Sequence, residues 1–353
     1  MEENILEIKK VLEEKISKFN PNENGLHHHG IFGLPFGEFE SEMVLVPVPF
    51  EATVSYGSGT ALGPKSILDA SQQIDLYDPL NPNGWKKGIT MLDIPTDIYF
   101  QNMQIRKKIE EYLDGYTDNN TDEGLKEEIN KDCREVKNYI KDITLGLINK
   151  NKIVGVVGGD HSVSLGYLEA LAETHKDFGI LHIDAHRDLR NAYEGLEYSH
   201  ASIFYNALKI ENISKLIQIG IRDYSQEEVK IAEENKDRVI MFSDYDIRKD
   251  LFGGTTWSKK CDQIIKNLPK SVYVSFDIDG LAPHLSPNTG TPVLGGFSLD
   301  EIVFLLEKIV DSGRKIIGFD LCEVAPGKDN QWDGNVGARV LYKLCLLTLK
   351  NRR

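Results

Sequence analysis

Eight short apolar runs, separated for the most part by segments of helical period, constrain this chain more than any other feature. They fall at residues 43–49, 88–94, 153–157, 179–184, 215–220, 238–243, 271–277 and 315–320, and many stop at Asp, Gly or Pro. Apolar runs of this length read as strands buried on both faces. Between them, residues 64–76, 125–148, 163–174, 299–312 and 336–349 repeat apolar positions at the spacing of amphipathic helices. This alternation predicts a three-layer α/β/α fold around a mostly parallel, about eight-stranded sheet. Ligands of such sheets sit beyond the carboxyl ends of the strands, so the chemistry is expected where the runs stop.

Ile5, Ile8, Val11, Leu12 and Ile16 mark a further amphipathic helix, followed by a polar linker with Pro21, Asn22 and Asn24. Residues 1–40 are expected to be an N-terminal helical extension and linker, and residues 41–353 a single domain that carries the chemistry. Residues 101–132 are rich in Lys, Glu, Asp and Asn and read as a solvated excursion leading into a long helix. His27, His28 and His29 read as a surface loop, because adjacent positions cannot share one helical face.

Three strand ends deliver the residue types that hold metals. The run at 153–157 breaks into Gly158-Gly159-Asp160-His161-Ser162, where the glycines permit a tight turn that aims His161 into the crevice. The run at 179–184 ends in Asp184-Ala185-His186-Arg187-Asp188; extended backbone would turn Asp184, His186 and Asp188 to one side. The third is Ser275-Phe276-Asp277-Ile278-Asp279-Gly280. Any one of these is a common strand-end motif. Together they converge four carboxylates and two imidazoles, which repel unless cations lie among them, and a metal pair is the simplest remedy. Ligation by imidazole and carboxylate without thiolate selects Mn, Fe, Co, Ni or Zn, and the oxygen-rich share favours Mn. Other divalent metals stay open.

At these residues the sequence resembles the ureohydrolase family, which includes arginases, agmatinases, formimidoylglutamases and guanidino-acid hydrolases. The pattern G-G-D-H-S, D-A-H-x-D and S-x-D-x-D is met by Gly158 to Ser162, Asp184 to Asp188 and Ser275 to Asp279. The resemblance extends to Ser55-Tyr56-Gly57-Ser58-Gly59-Thr60, to Thr289-Gly290-Thr291-Pro292, and to Gly318-Phe319-Asp320-Leu321-Cys322-Glu323-Val324, covering roughly residues 43–350. One departure is Ala282, which stands before Pro283 where relatives usually carry Asp.

The resemblance implies an arginase-like fold and two Mn²⁺ per chain that activate water against a guanidino C–N bond. One ion would be held by His161, Asp184, Asp188 and Asp277, the other by His186, Asp184, Asp277 and Asp279, with Asp184 and Asp277 bridging. It further implies that Glu323 receives the guanidinium, that Asp188 steadies the nucleophile, and that His200, in Tyr198-Ser199-His200-Ala201, passes a proton to the leaving amine. The loop from Asp188-Leu189-Arg190 to Glu194-Gly195 looks most like agmatinases. Arginases usually carry Asn where this chain has Arg190, available to read an α-carboxylate. Agmatine, hydrolysed to putrescine and urea, is the first choice of substrate. Formimidoylglutamate, whose carboxylate Arg190 would pair with, is the alternative, followed by arginine and by guanidine or guanidino acids. A non-catalytic regulatory homologue is the reading from another class, and the intact ligand set argues against it.

Composition agrees with these expectations. A formal charge of −14 disfavours nucleic acid and anionic membrane partners and suits a small cationic substrate. Cys133, Cys261, Cys322 and Cys345 form no C-x-x-C pair, which argues for reduced structural thiols. No segment reaches membrane-spanning length and no leader pattern opens the chain, so a cytoplasmic protein is expected. The family resemblance adds a homo-oligomer, trimer or hexamer.

Overall fold

A computed structural model describes residues 2–23, 30–117, 122–328 and 330–350. The histidine run 27–29, Asn24 of the linker and residues 118–121 lie outside them. The eight apolar runs are eight strands: β1 (Met43–Pro47), β2 (Ile89–Met91), β3 (Ile153–Val157), β4 (Phe178–Ile183), β5 (Ile213–Ile219), β6 (Val239–Phe242), β7 (Ser271–Asp277) and β8 (Lys315–Cys322). They form one sheet in the order β2-β1-β3-β8-β7-β4-β5-β6, with every pairing parallel.

Strand alternation divides the core into two. In β1, Met43 and Leu45 join one apolar cluster while Val44 and Val46 join the other, as a period of two requires. The first face is covered by helices Gly63–Ser71, Trp257–Lys266, Leu299–Asp311 and Trp332–Lys350. The second is covered by Thr96–Thr117, Glu123–Asn149 and Ser164–Thr174. Helix Leu299–Asp311 shows how the sequence sets these elements. Ser298 and Glu301 form a capping box at its start. Ile302, Leu305, Leu306 and Ile309 then make the buried stripe. Leu12, Ile16 and Phe19, in and just beyond helix Glu2–Lys18, pack against the first cluster. No helix among the described residues is long and apolar enough to cross a membrane.

The expectation of a solvated excursion at 101–132 is overturned. Helix Thr96–Thr117 buries Ile98, Ile105, Ile109 and Tyr112 against Glu123–Asn149 and its surroundings. These apolar positions are seven, four and three residues apart, which is one helical face, and the charges between them are its solvent side. Lys108 Nζ reaches Glu128 Oε1 at 2.5 Å and Asp132 Oδ2 at 2.6 Å on the second helix. The first helix also anchors a loop. Asn102 Oδ1 accepts from Glu51 N at 2.7 Å, and Arg106 Nη1 donates to the Val54 carbonyl at 2.5 Å. Ile109 is 1% exposed, so Ile109→Ala should lower unfolding free energy by about 2–5 kcal/mol. A urea-denaturation midpoint unchanged from wild type would return the segment to the status of a surface excursion.

The topology places four strand ends side by side. The chain leaves β3 and resumes at β4 three places away, and β8 and β7 later fill the gap. The carboxyl ends of β3, β8, β7 and β4 are therefore adjacent, although their sequences lie far apart.

Candidate metal centre and substrate cleft

Each of those four ends turns a polar side chain toward one point. After β3, Gly159 makes a turn no larger residue fits, since a Cβ there would lie 1.9 Å from the Phe50 carbonyl oxygen. Asp160 then accepts from Thr53 N and Thr53 Oγ1 at 3.1 and 2.7 Å, and His161 is buried behind it. After β4, Asp184, His186 and Asp188 share a side, but not on the uniformly extended backbone the spacing predicts. Asp188 adopts φ 54°, and this left-handed turn carries its carboxylate back to His161. After β7, Asp277 Oδ1 accepts from Asp279 N at 2.8 Å, and Asp279 Oδ1 accepts from Ala185 N at 3.0 Å. After β8, Glu323 adopts φ 62°, its N–H donating to the Gly159 carbonyl at 2.8 Å. Asp188, Ala192, Glu194 and Glu323 all have positive φ. Strain of this kind persists where surrounding structure enforces it, commonly at functional sites.

The six residues expected to hold metal come together in two overlapping groups. His161 Nδ1 lies 3.2 Å from Asp184 Oδ2, 3.1 Å from Asp188 Oδ2 and 3.5 Å from Asp277 Oδ2. His186 Nδ1 lies 3.0 Å from Asp279 Oδ2 and 3.5 Å from Asp184 Oδ1. Asp184 thus offers one oxygen to each imidazole. Burial and the carboxylates of Asp279, Asp184 and Glu323 push Asp277 well above the usual carboxylate range. Burial and Asp184 push Asp188 up to about 7. Burial opposes protonation of His186, yet Asp279 and Asp184 outweigh it and raise the imidazole to about 12. Burial likewise works against the charge on Asp184, but His182 and His161 hold that carboxyl well below its usual value.

The donor set fits divalent cations. Ser275 Oγ donates to Asp320 Oδ2 at 2.7 Å, so the proton shared at 2.9 Å between His161 Nε2 and Ser275 Oγ belongs to the imidazole. In the neutral ring His161 Nδ1 is then a lone pair, buried and facing three carboxylates; without a cation, burial opposes protonation there but Asp184 and Asp188 outweigh it and raise the imidazole pKa well above its usual value. A lone pair aimed among anions is repelled by them and is satisfied by a cation.

A cleft of about 180 Å³ opens over the cluster, lined by His186, Asp188, Asp277 and Glu323 at its floor residues and by Ser55, Arg190, Tyr193, His200, Asp223, Tyr224, Glu228 and Thr291 elsewhere. Glu323 Oε1 accepts from His161 N at 3.0 Å, while Oε2 is buried and unpartnered. Burial and Asp160 raise the Glu323 carboxyl well above its ordinary value. Half-buried His200 donates its backbone N–H to Thr53 Oγ1 at 2.9 Å, and burial lowers its imidazole pKa. The Arg190 guanidinium stacks on Tyr193, 4.9 Å from the ring centre, with Nε 3.9 Å from Glu228 Oε2. At the departure, Ala282 N donates to the Phe297 carbonyl at 2.9 Å, and Arg222 Nη2 donates to the preceding Leu281 carbonyl at 3.2 Å.

Sequence reasoning missed several participants. His182 Nε2 donates to Asp184 Oδ2 at 2.7 Å; it lies two residues before Asp184, so strand alternation was the available signal. Asp320, in a segment already singled out, gathers Tyr273, Ser275 and the Phe276 N–H. Thr53 and Gln218 carried no local signal. The four cysteines are buried and free.

Fold and site define the class: a three-layer α/β/α protein whose central strand ends gather His and Asp beneath an acid-lined cleft. Residues 41–347 match the Arginase family, and the chain belongs to that family. It is a hydrolase acting on guanidino groups. It is similar to an N(1)-aminopropylagmatine ureohydrolase of Thermus thermophilus, 30% identical over 288 residues, which are 81% of this chain and 84% of the relative. An agmatinase of Bacillus subtilis is 28% identical over 315 residues, 87% of this chain and 92% of the relative. In fold it resembles the agmatine ureohydrolase of Thermoplasma volcanium, with a TM-score of 0.69 at 24% identity over 89% of this chain and 92% of that one.

Proposed function

We propose that the chain hydrolyses agmatine to putrescine and urea with two Mn²⁺ per chain. His161, Asp184, Asp188 and Asp277 hold one ion in this reading, and His186, Asp184, Asp277 and Asp279 the other. When bound, such a pair supplies the Lewis acidity that makes water nucleophilic near neutral pH. Glu323 receives the guanidinium, its unpartnered Oε2 matching a planar N–H donor. Asp188 accepts a hydrogen bond from the water that adds to the guanidinium carbon. His200, its ring kept neutral by burial, takes up the proton that the adding water sheds and hands it to the departing amine as the C–N bond to the substrate's alkyl chain breaks. Residues 41–353 form the catalytic domain and residues 1–40 an extension of it, a division that the family match starting at residue 41 supports.

The charge lining the cleft carries the choice of substrate. Apart from the proposed ligands Asp188 and Asp277, the acids Asp223, Glu228 and Glu323 line the cleft with one guanidinium, Arg190, which is already engaged by Glu228 and Tyr193. No uncommitted cation among the lining residues is left for the carboxylate of arginine or formimidoylglutamate. Exposed Asp223 at the rim leaves room for a second reading, an agmatine extended by a further amine. Urea release measured from agmatine, N(1)-aminopropylagmatine, arginine and guanidine, with formamide release from formimidoylglutamate, decides it. Agmatine or its extended form is expected to exceed arginine by at least about a hundredfold in kcat/KM, the scale of placing like charges together. Comparable turnover of a carboxylate-bearing substrate would overturn the assignment. The Mn²⁺-loaded protein is expected to hold about two ions per chain; a single tightly bound zinc with full activity would refute the metal pair.

A further inference from the structure

A buried chain of side chains stands behind Asp184. His182 of β4 and Gln218 of β5 are register partners, both fully buried, and Arg187 folds back over them at 4% exposure. Gln218 Nε2 donates to the Arg187 carbonyl at 2.8 Å and to His182 Nδ1 at 3.0 Å, and Gln218 Oε1 accepts from Arg187 Nε at 3.1 Å. A carbonyl only accepts and a guanidinium only donates. Arg187 therefore grips both ends of the amide and permits one orientation. His182 Nδ1 must then accept, so the single proton of the neutral ring sits on Nε2 and is donated to Asp184 Oδ2 at 2.7 Å. Asp184 Oδ1 takes a separate hydrogen bond from His186 N at 2.5 Å.

Position alone does not keep His182 from binding a cation. One ligand atom from each of His161, His182, Asp184 and Asp188 lies within 4.8 Å of the others. What separates His182 from the rest is where its proton is. We propose that Arg187 and Gln218 are positioning residues that hold His182 as an Nε2–H donor. His182 is thereby kept out of the ligand set, and each oxygen of Asp184, having accepted one proton from the protein, keeps a lone pair for a cation. This deepens the reading of Asp184 as a bridging ligand and rests on it. A partner that orients a metal-binding group in this way typically contributes about 10–100-fold in metal affinity.

Two measurements test the relay. Metal-stripped protein labelled with ¹⁵N-histidine, observed by two-bond ¹H–¹⁵N correlation, should show His182 as the neutral Nε2–H tautomer, assigned by the signal missing from His182→Gln. An Nδ1–H tautomer overturns the proposal. Calorimetric Mn²⁺ titration of the metal-stripped variants is the second measurement. His182→Gln retains an N–H donor near the Nε2 position and should bind within about threefold of wild type, whereas His182→Phe and Gln218→Glu should bind about 10–100-fold more weakly. Wild-type affinity in His182→Phe, alongside loss in Asp184→Ala, overturns the relay alone. Unchanged binding in Asp184→Ala overturns the ligand reading and the relay with it.

Discussion

Asp277→Ala is expected to reduce hydrolysis of the guanidino substrate by at least about a thousandfold, the scale of losing a main electrostatic support of a transition state, and to lower bound metal. In the proposed reading Asp277 is shared by both ions. Its Oδ1 is held by Asp279 N at 2.8 Å while its Oδ2 faces His161 Nδ1 at 3.5 Å. Stability should move the other way. Burial and three neighbouring carboxylates raise the Asp277 pKa in the folded metal-free protein above its unfolded value. A carboxyl whose folded pKa is raised opposes folding once pH exceeds its unfolded value, near 4. Removing it should therefore leave the metal-stripped melting temperature at neutral pH unchanged or higher. Elemental analysis, urea assay and a metal-free thermal melt check all three. Undiminished metal content would take Asp277 out of the ligand set, and a lowered metal-free melting temperature would show that it acts as a structural acid.

The strands were legible because a parallel sheet covered on both faces leaves each strand almost wholly apolar. Val44, Val46, Val154, Val156 and their neighbours announce themselves with no surface alternation to confuse them. The residues that gather at the strand ends were legible for a related reason: His161, Asp184, His186, Asp277 and Asp279 sit where apolar runs stop, and although each motif is common alone, their joint occurrence is not. Strand order was not legible. That β8 and β7 lie between β3 and β4 depends on crossovers closed by the last hundred residues, which no local pattern records. Helix Thr96–Thr117 was misread because its buried apolar face among the described residues is Ile98, Ile105, Ile109 and Tyr112, while Lys, Glu and Asp dominate the composition around them.

The residues behind the site were hidden for another reason. Thr53 ties Asp160 to His200 from a loop that is itself held by Asn102 and Arg106 of the misread helix. Gln218 is an ordinary strand residue until β5 pairs with β4 and brings it to His182. These roles exist only in the assembled sheet, where polar groups removed from water must find partners. Ligands are read from their own chemistry. Their supports are read from contacts.

Glu323→Gln should separate the metal shell from the substrate shell. Glu323 follows β8 in a left-handed conformation, fixed by its own N–H to the Gly159 carbonyl, and neither feature depends on the side-chain charge. Glutamine keeps the size, and its amide oxygen still accepts from His161 N as Oε1 does at 3.0 Å. The atom replacing the unpartnered Oε2 becomes an N–H donor facing the cleft, where a guanidinium also brings only donors. A charge-assisted hydrogen bond is thereby lost, worth about 1.5–3 kcal/mol. That range corresponds to a fall in kcat/KM of roughly tenfold to a hundredfold against the preferred guanidino substrate. Metal content should stay at the wild-type value, because none of the contacts that gather His161, Asp184, His186, Asp188, Asp277 and Asp279 passes through the Glu323 charge. Parallel measurement of urea release and bound Mn²⁺ reads both quantities from one preparation. Full activity would reduce Glu323 to an acid that merely caps the His161 turn, and loss of metal would show that its carboxylate belongs with the ligands.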